Sequence, residues 1–233
     1  MSEAVAERIS VERSERVAIV RMRSGENRFH PDNLDALFAA LDEIEGEEGG
    51  PAPVVLTGEG KFFSNGLDLE WMAQAEDTER ERCLGRVHGL LARILTFPSF
   101  TVAAINGHAF AAGAMLALAC DQRVMREDRG FFCLPEVDLG ISFTGGMSAL
   151  ITGKLPLRSA EEAMLTGRRY GGPDAAAAEI VDEAVAEDQV VNRAIERAAA
   201  VAGKPAHAVT SIKKGLYERA VEQLAADARK GKA

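Results

Sequence analysis

Apolar and polar residues alternate through Ile9–Arg13 and again through Val17–Met22, the period of half-buried strands, and the two runs flank Ser14-Glu15. They predict a hairpin. From Pro31 the period changes. Leu34, Leu37, Phe38, Leu41 and Ile44 fall on one helical stripe, and proline suits the first turn of such a helix. The acidic, Gly/Pro-containing stretch from Gly46 to Pro53 then leads into Pro53–Thr57, a short apolar run that reads as a buried strand closed by Gly58-Glu59-Gly60. Glu76 to Leu95 predicts a helix with a charged start and an apolar end, stopped by Pro98. Thr101–Ile105 is a second buried strand, Ala112–Cys120 has helical composition, and Gln122–Met125 with Gly130–Cys133 reads as a strand pair.

The order strand, helix, buried strand, helix implies an α/β core with right-handed crossovers, assigned to residues 1–155. Past Leu155 the pattern changes. Ser159–Leu165, Pro173–Ala178, Gln189–Ala202 and Pro205–Arg229 read as helices rich in Ala, Glu and Arg, so residues 156–233 are expected to form a helical region with little sheet of its own. Its apolar positions Ile195, Val201, Val209, Ile212, Leu216, Val221 and Leu224 exceed what a small appendage buries alone. A closed symmetric oligomer would cover them.

Composition narrows the function classes. At 233 residues, 47% hydrophobic and 27% charged, the chain supports one sizeable core and is not of disordered type. A net charge of −9 without a dense basic patch argues against nucleic acid and against a membrane surface as partner. Cys83, Cys120 and Cys133 are odd in number and lack CxxC spacing, which fits reduced thiols in a cytoplasmic-type compartment rather than a zinc site. The four histidines show no metal-binding pairing, so no metal is expected, and His108 alone reads as a packing residue. No secretion signal, membrane span or peroxisomal SKL-type ending is read from the sequence, and a cytoplasmic location is expected.

Candidate chemistry lies in two turns and one acid. Phe62-Phe63-Ser64-Asn65-Gly66-Leu67-Asp68-Leu69 follows the first buried strand; Gly66 permits a φ > 0 turn that aims the Leu67 N–H at a ligand, and Asp68 can cap the following segment. Phe110-Ala111-Ala112-Gly113-Ala114-Met115 follows the second, with no branched side chain to shield the first amides of the next helix. One donor from each turn can grip a single carbonyl oxygen as an oxyanion hole. Neither turn is a phosphate loop, because GxxxxGK[ST] and GxGxxG are both absent. Glu136 follows Phe131, Phe132, Leu134 and Pro135, company that desolvates a carboxylate and raises its pKa toward that of a general base. Asp138, two residues on, competes for this role.

These segments resemble the enoyl-CoA hydratase/isomerase (crotonase) superfamily from about Val17 to the C-terminal helices. The motifs that carry the resemblance are Gly60–Leu69, Ile105–Asp121 and Leu134–Gly140, in that order. The resemblance implies a crotonase-like spiral of stacked ββα/βαβ turns with a helical C-terminal region, usually trimeric. It implies oxyanion donors at Leu67 and Ala112 and a catalytic acid at Glu136, and it puts the second glutamate of the hydratases at Met115, which transfers no proton. A chain with Glu136 and no partner is similar to the Δ3,Δ2-enoyl-CoA isomerases, and the wording of its motifs to the plant and actinobacterial ones. Ala111-Ala112-Gly113 stands where many members carry three glycines.

The expected substrate is an acyl-CoA held by Lys61, Phe63, Ser64, Asn65, Gly66, Asp68, Leu69, Gly113, Met115, Leu134, Pro135 and Phe143. Arg28 and Lys61 are candidates for its phosphates, and Trp71, Met72 and Phe132 for the acyl pocket. No cofactor is expected, coenzyme A being part of the substrate. Alternatives are another crotonase-type enzyme (hydratase, thioesterase or decarboxylase), a non-catalytic acyl-CoA binder, and an assembly subunit.

Overall fold

The apolar strands form a six-stranded sheet in the order β1-β2-β3-β5-β7-β9. Its members are β1 (Ile9–Ser14), β2 (Val17–Met22), β3 (Val54–Gly58), β5 (Thr101–Ile105), β7 (Gln122–Arg126) and β9 (Glu183–Val185). The predicted hairpin is its antiparallel edge, β1 against β2, and every other pairing is parallel. Three short strands, β4 (Phe62–Ser64), β6 (His108–Phe110) and β8 (Phe132–Cys133), make a second, all-parallel sheet. The computed structural model describes residues 7–230.

The chain passes from the large sheet to the small one at tight corners. Asn106 ties two of them together: its Oδ1 accepts the Gly58 N–H at 2.9 Å and its Nδ2 donates to the Gly60 carbonyl at 3.1 Å. Gly107 lies so close to the neighbouring corner that a Cβ there would sit 2.1 Å from the Lys61 carbonyl oxygen. α1 (Pro31–Glu45) links β2 to β3 within the large sheet, and helices return the chain to it from the small one: α2 (Leu69–Gln74) with α3 (Asp77–Leu95) from β4, and α4 (Ala112–Ala119) from β6. Successive strand–strand–helix turns stack into the expected spiral.

Both faces of the large sheet are buried at its centre, which is why β3 and β5 run without a charged residue rather than alternating with charge. Ala18, Val20, Leu56, Ala103, Ile105 and Met125 face the main core with α1, α3 and α4. Val17, Ile19, Val55, Val102, Ala104 and Val124 face a second core, closed by Val190, Ala194 and Ala198. These last three belong to α8 (Val190–Ala199), in the C-terminal region.

That region is therefore part of the spiral rather than an appendage. It also holds α5 (Gly145–Lys154), α6 (Leu157–Thr166), α7 (Gly172–Ala177), α9 (Ala206–Leu216) and α10 (Glu218–Lys230). Its strand β9 closes the large sheet beside β7, and α10 packs against α3 and α5. Lys213 is buried, donates to the Ser99 carbonyl at 2.7 Å and pairs with Asp121. Of the apolar positions assigned to an oligomer interface, Leu224 is buried and Ile195 and Val221 pack on the two cores, while Ile212 and Leu216 on α9 stay exposed.

Three further expectations are corrected. Gln122–Met125 and Gly130–Cys133 are not a pair: β7 lies in the large sheet and β8 in the small one, since each finds a parallel partner from the preceding turn of the spiral. The single helix expected over Pro205–Arg229 breaks at Tyr217. Short α2, α5 and β9 were not predicted, being too brief or too uniformly small to show a period. No helix among the described residues is long and apolar enough to cross a membrane.

Candidate active site

The small sheet places the three sequence motifs side by side. β4, β6 and β8 run parallel, so the segments that leave them (Asn65–Leu67, Ala111–Ala112 and Leu134–Glu136) emerge at one edge. That edge borders a cavity of 860 Å³ whose lining includes Asn65, Leu67, Ala112, Pro135 and Glu136.

Two backbone donors belong to residues on this lining, Leu67 and Ala112. Gly66 has φ +78°, and a Cβ there would lie 2.9 Å from the Phe110 carbonyl oxygen and 3.1 Å from the Ala112 nitrogen. Only glycine lets the two turns meet. The Phe29 N–H donates to the Gly66 carbonyl at 2.7 Å, fixing the turn from behind. Ser64 does the same, its hydroxyl donating to the Asn27 carbonyl at 2.7 Å and accepting the Gly66 N–H at 3.2 Å. In the other turn Ala111 takes φ 50° and ψ −125°, a region that costs a non-glycine residue on the order of 1–3 kcal/mol. Its own N–H is held by the Cys133 carbonyl at 3.0 Å and its carbonyl accepts the Met115 N–H, leaving Ala112 as the first residue of α4. Among the described residues, no acceptor takes the N–H of Leu67 or of Ala112. Both remain for a ligand oxygen, with the positive end of α4 behind one of them.

Glu136 sits in a single 3₁₀ turn, Pro135–Val137, and is only 7% exposed. Its Oε2 is buried without a hydrogen-bond partner. Burial, slightly opposed by a backbone hydrogen bond, pushes its carboxyl up to about 7. A base of that strength is half ionised near neutrality and suits transfer of a carbon-bound proton in both directions. Asp138, the competing acid, is exposed and does not line the cavity, so the choice falls on Glu136.

The remaining expected site residues divide. Leu69 is at the cavity rim and half exposed, and Asn65 is held by Glu26 through its side chain at 2.8 Å. Phe63, Ser64, Gly66, Gly113, Met115 and Leu134 lie behind the wall, buried. They shape the turns and do not touch the space. Met115 is fully buried in α4, so a glutamate there would enter the core. Asp68 caps α2 by accepting the Trp71 N–H at 3.2 Å, Phe143 packs on the main core, and Lys61 is exposed outside the cavity. Arg28 lines the cavity, paired with Glu26 at 2.7 Å. Of the acyl-pocket candidates Met72 lines the space, Trp71 packs edge-on to His30, and Phe132 is buried. His108 stacks among Phe62, Phe110 and Phe131, away from the cavity. The sequence reading missed the apolar Ala73, Leu84, Leu139, Ile141 and Met147 and the polar Glu70, Arg80, Ser142 and Thr144, which also line the space. Nothing in a helical stripe separates a residue facing a cavity from one facing the core. No cluster of metal-ligating side chains occurs among the described residues.

A pH dependence follows from the raised carboxyl. Below about 4.5 Glu136 is protonated folded or unfolded; between 4.5 and about 7 only the unfolded chain ionises, so stability falls as pH rises and levels off above about 7. The loss is on the order of 3 kcal/mol. Glu136→Gln has no charge to desolvate. It should exceed the unmodified protein in urea-unfolding free energy by that order at pH 8, with the gap closing near pH 4; an equal gap at both pH values refutes the buried-acid assignment.

The fold and site thus define a class: spiral α/β proteins that bring two free amides and one desolvated carboxylate to the same mainly apolar cavity. The family model described as enoyl-CoA hydratase/isomerase matches residues 12–232. The chain is 36% identical over 205 residues to peroxisomal enoyl-CoA delta isomerase 2 of Arabidopsis thaliana, covering 83% of this chain and 85% of that one. Human mitochondrial delta3-delta2-enoyl-CoA isomerase superposes with a TM-score of 0.87 at 27% identity, covering 96% of this chain and 90% of that one. An enoyl-CoA hydratase of Bacillus anthracis superposes with a TM-score of 0.80 at 26% identity, with the same coverage of 96% and 90%. The chain belongs to the enoyl-CoA hydratase/isomerase family.

Proposed function

We propose that this protein is a Δ3,Δ2-enoyl-CoA isomerase, shifting a double bond of a fatty acyl-CoA from C3 to C2. The observation that carries this reading is the buried carboxylate Glu136, which lines the same cavity as Leu67 and Ala112 with their free amides. The thioester oxygen bonds both amides, Glu136 removes a C2 proton, and charge spreads through a dienolate onto that oxygen. The carboxylic acid then returns the proton at C4, restoring its own charge and leaving the conjugated 2-enoyl-CoA. The scheme uses no cofactor, coenzyme A entering with the substrate, and Arg28, on the cavity lining, is the proposed contact for its phosphates. The identity to an enoyl-CoA delta isomerase supports the choice within the family. Mixing 3-enoyl-CoA with the protein and following the absorbance of the conjugated thioester tests it; no absorbance rise refutes it.

Glu70, the other carboxylate on the cavity lining, is exposed and lies beside Arg28, so Glu136 is the one buried acid there, with a measurable consequence. Hydration of crotonyl-CoA needs a group to activate water, and Met115 provides none. Hydration is expected to run at least about 10²-fold below isomerisation, the usual worth of a general acid or base. Comparable rates for the two reactions contradict the single-acid mechanism.

A homotrimer and a cytoplasmic location belong to the same proposal. Exposed Ile212 and Leu216, one helical turn apart on α9, and exposed Leu157 and Leu165 on α6 are surfaces that assembly would cover. Light scattering is expected to give three times the chain mass, and a monomer overturns this. The three cysteines are unbridged and buried, in keeping with a reducing compartment.

A further inference from the structure

Behind the main cavity lies a second one of 290 Å³ between α3, α5 and α10. Leu84 of α3 and Thr144, the residue capping α5, line both, so together they form the wall between them. The two halves of this wall differ in freedom. The Thr144 hydroxyl lies 3.0 Å from His88 Nε2 and accepts the Met147 N–H at 3.3 Å, and the adjacent Gly146 N–H is held by Asp227 of α10 at 2.8 Å. Leu84 is a half-buried aliphatic side chain packed on the main core with no polar tie, so only packing holds its rotamer. The compartments also differ in chemistry: the first is mainly apolar, with Met72, Leu139, Ile141 and Met147 on its lining beside the charged Arg28, Glu70 and Arg80, whereas Glu81, His88, Asp227 and Lys230 line the second.

We propose that Leu84 is the gate that sets acyl-chain length. This rests on the acyl-CoA reading of the main cavity. Acyl groups that end at Leu84 bury every methylene in apolar surroundings, each tightening binding about fourfold. Longer ones must swing Leu84 aside against the fixed Thr144 and enter a polar compartment that rewards further methylenes little. The C-terminal helix α10, through Asp227 and Lys230, thereby takes part in substrate choice.

Calorimetric dissociation constants for saturated acyl-CoA thioesters, from butanoyl to hexadecanoyl, test the gate in the full chain. In the unmodified protein affinity should rise with length and then break. Leu84→Ala should move the break to longer chains and raise the hexadecanoyl-to-butanoyl affinity ratio at least about tenfold; Leu84→Phe should move it to shorter ones. A break that stays in place in either variant, melting as one cooperative unit, overturns the gate, and the Phe variant decides if the Ala variant does not fold. The isomerase assay run beside it separates the two readings. Length-dependent binding with the shifted break but without isomerisation sustains the gate and refutes the isomerase, whereas failure of every thioester to bind overturns both.

Discussion

Glu136→Gln should lose isomerisation by about 10³-fold or more while binding acyl-CoA within a few-fold of the unmodified protein. The amide is isosteric with the carboxyl but accepts no C2 proton, and a positioned general base contributes about 10²–10⁴ in rate. In the proposed mechanism the same group both removes and returns the proton, so both half-reactions lose their carrier. The buried Oε2 has no partner whose loss would collapse the turn, which favours a folded variant. The measurement is single-turnover isomerisation beside calorimetric binding of a saturated acyl-CoA. Turnover within tenfold of the unmodified protein removes Glu136 from the chemistry and returns Asp138 to consideration, despite its exposure. In the unmodified enzyme kcat/KM should climb with pH through about 7 and level off above it, as the carboxyl ionises. A flat profile from pH 6 to pH 8 contradicts that assignment.

Leu67→Pro should lower turnover by roughly 10²–10³, the usual worth of one oxyanion donor. Side-chain deletion cannot reach this donor because it is backbone; proline removes the N–H itself. Substrate affinity should fall much less, since the bond strengthens as charge moves onto the thioester oxygen in the dienolate. Leu67→Ala keeps the amide and serves as control, with turnover expected within a few-fold. The Leu67 N–H takes part in none of the hydrogen bonds that hold the turn, which run instead through the Gly66 carbonyl and the Ser64 hydroxyl. Equal activity of the two folded variants would make the turn structural only.

Much of the core was legible along the chain because burial repeats at the period of each element. The β1–β2 hairpin, the apolar strands β3 and β5, and the stripe of Leu34, Leu37, Leu41 and Ile44 on α1 are local patterns, and they reappear where the sequence predicts them. The chemistry was legible because its signals are also local: a glycine at 66, small residues at 111–113, and a carboxylate among Phe132, Leu134 and Pro135. Pairing was not. β7 and β8 are neighbours in sequence yet lie in different sheets, because each strand pairs with the strand one spiral turn earlier, and strand composition says nothing about which partner that is.

The sequence by itself determined an α/β chain with two donor turns and one desolvated acid, since propensity, periodicity and the company of a charged residue act over a few positions. Tertiary structure alone decided which residues touch the substrate space. Phe63, Met115 and Leu134 belong to the motifs but lie behind the wall, whereas Leu84, inside the predicted Glu76–Leu95 helix, and Met147, in a helix that shows no period, line it. It also decided that the C-terminal region is no appendage: Val190, Ala194 and Ala198 of α8 cover a sheet face that would otherwise expose Val17, Val55, Val102 and Val124 to water. The physical reason is the same in both cases. A cavity and a second core are defined by what several distant segments leave open or close between them, and no single stretch of sequence carries that relation.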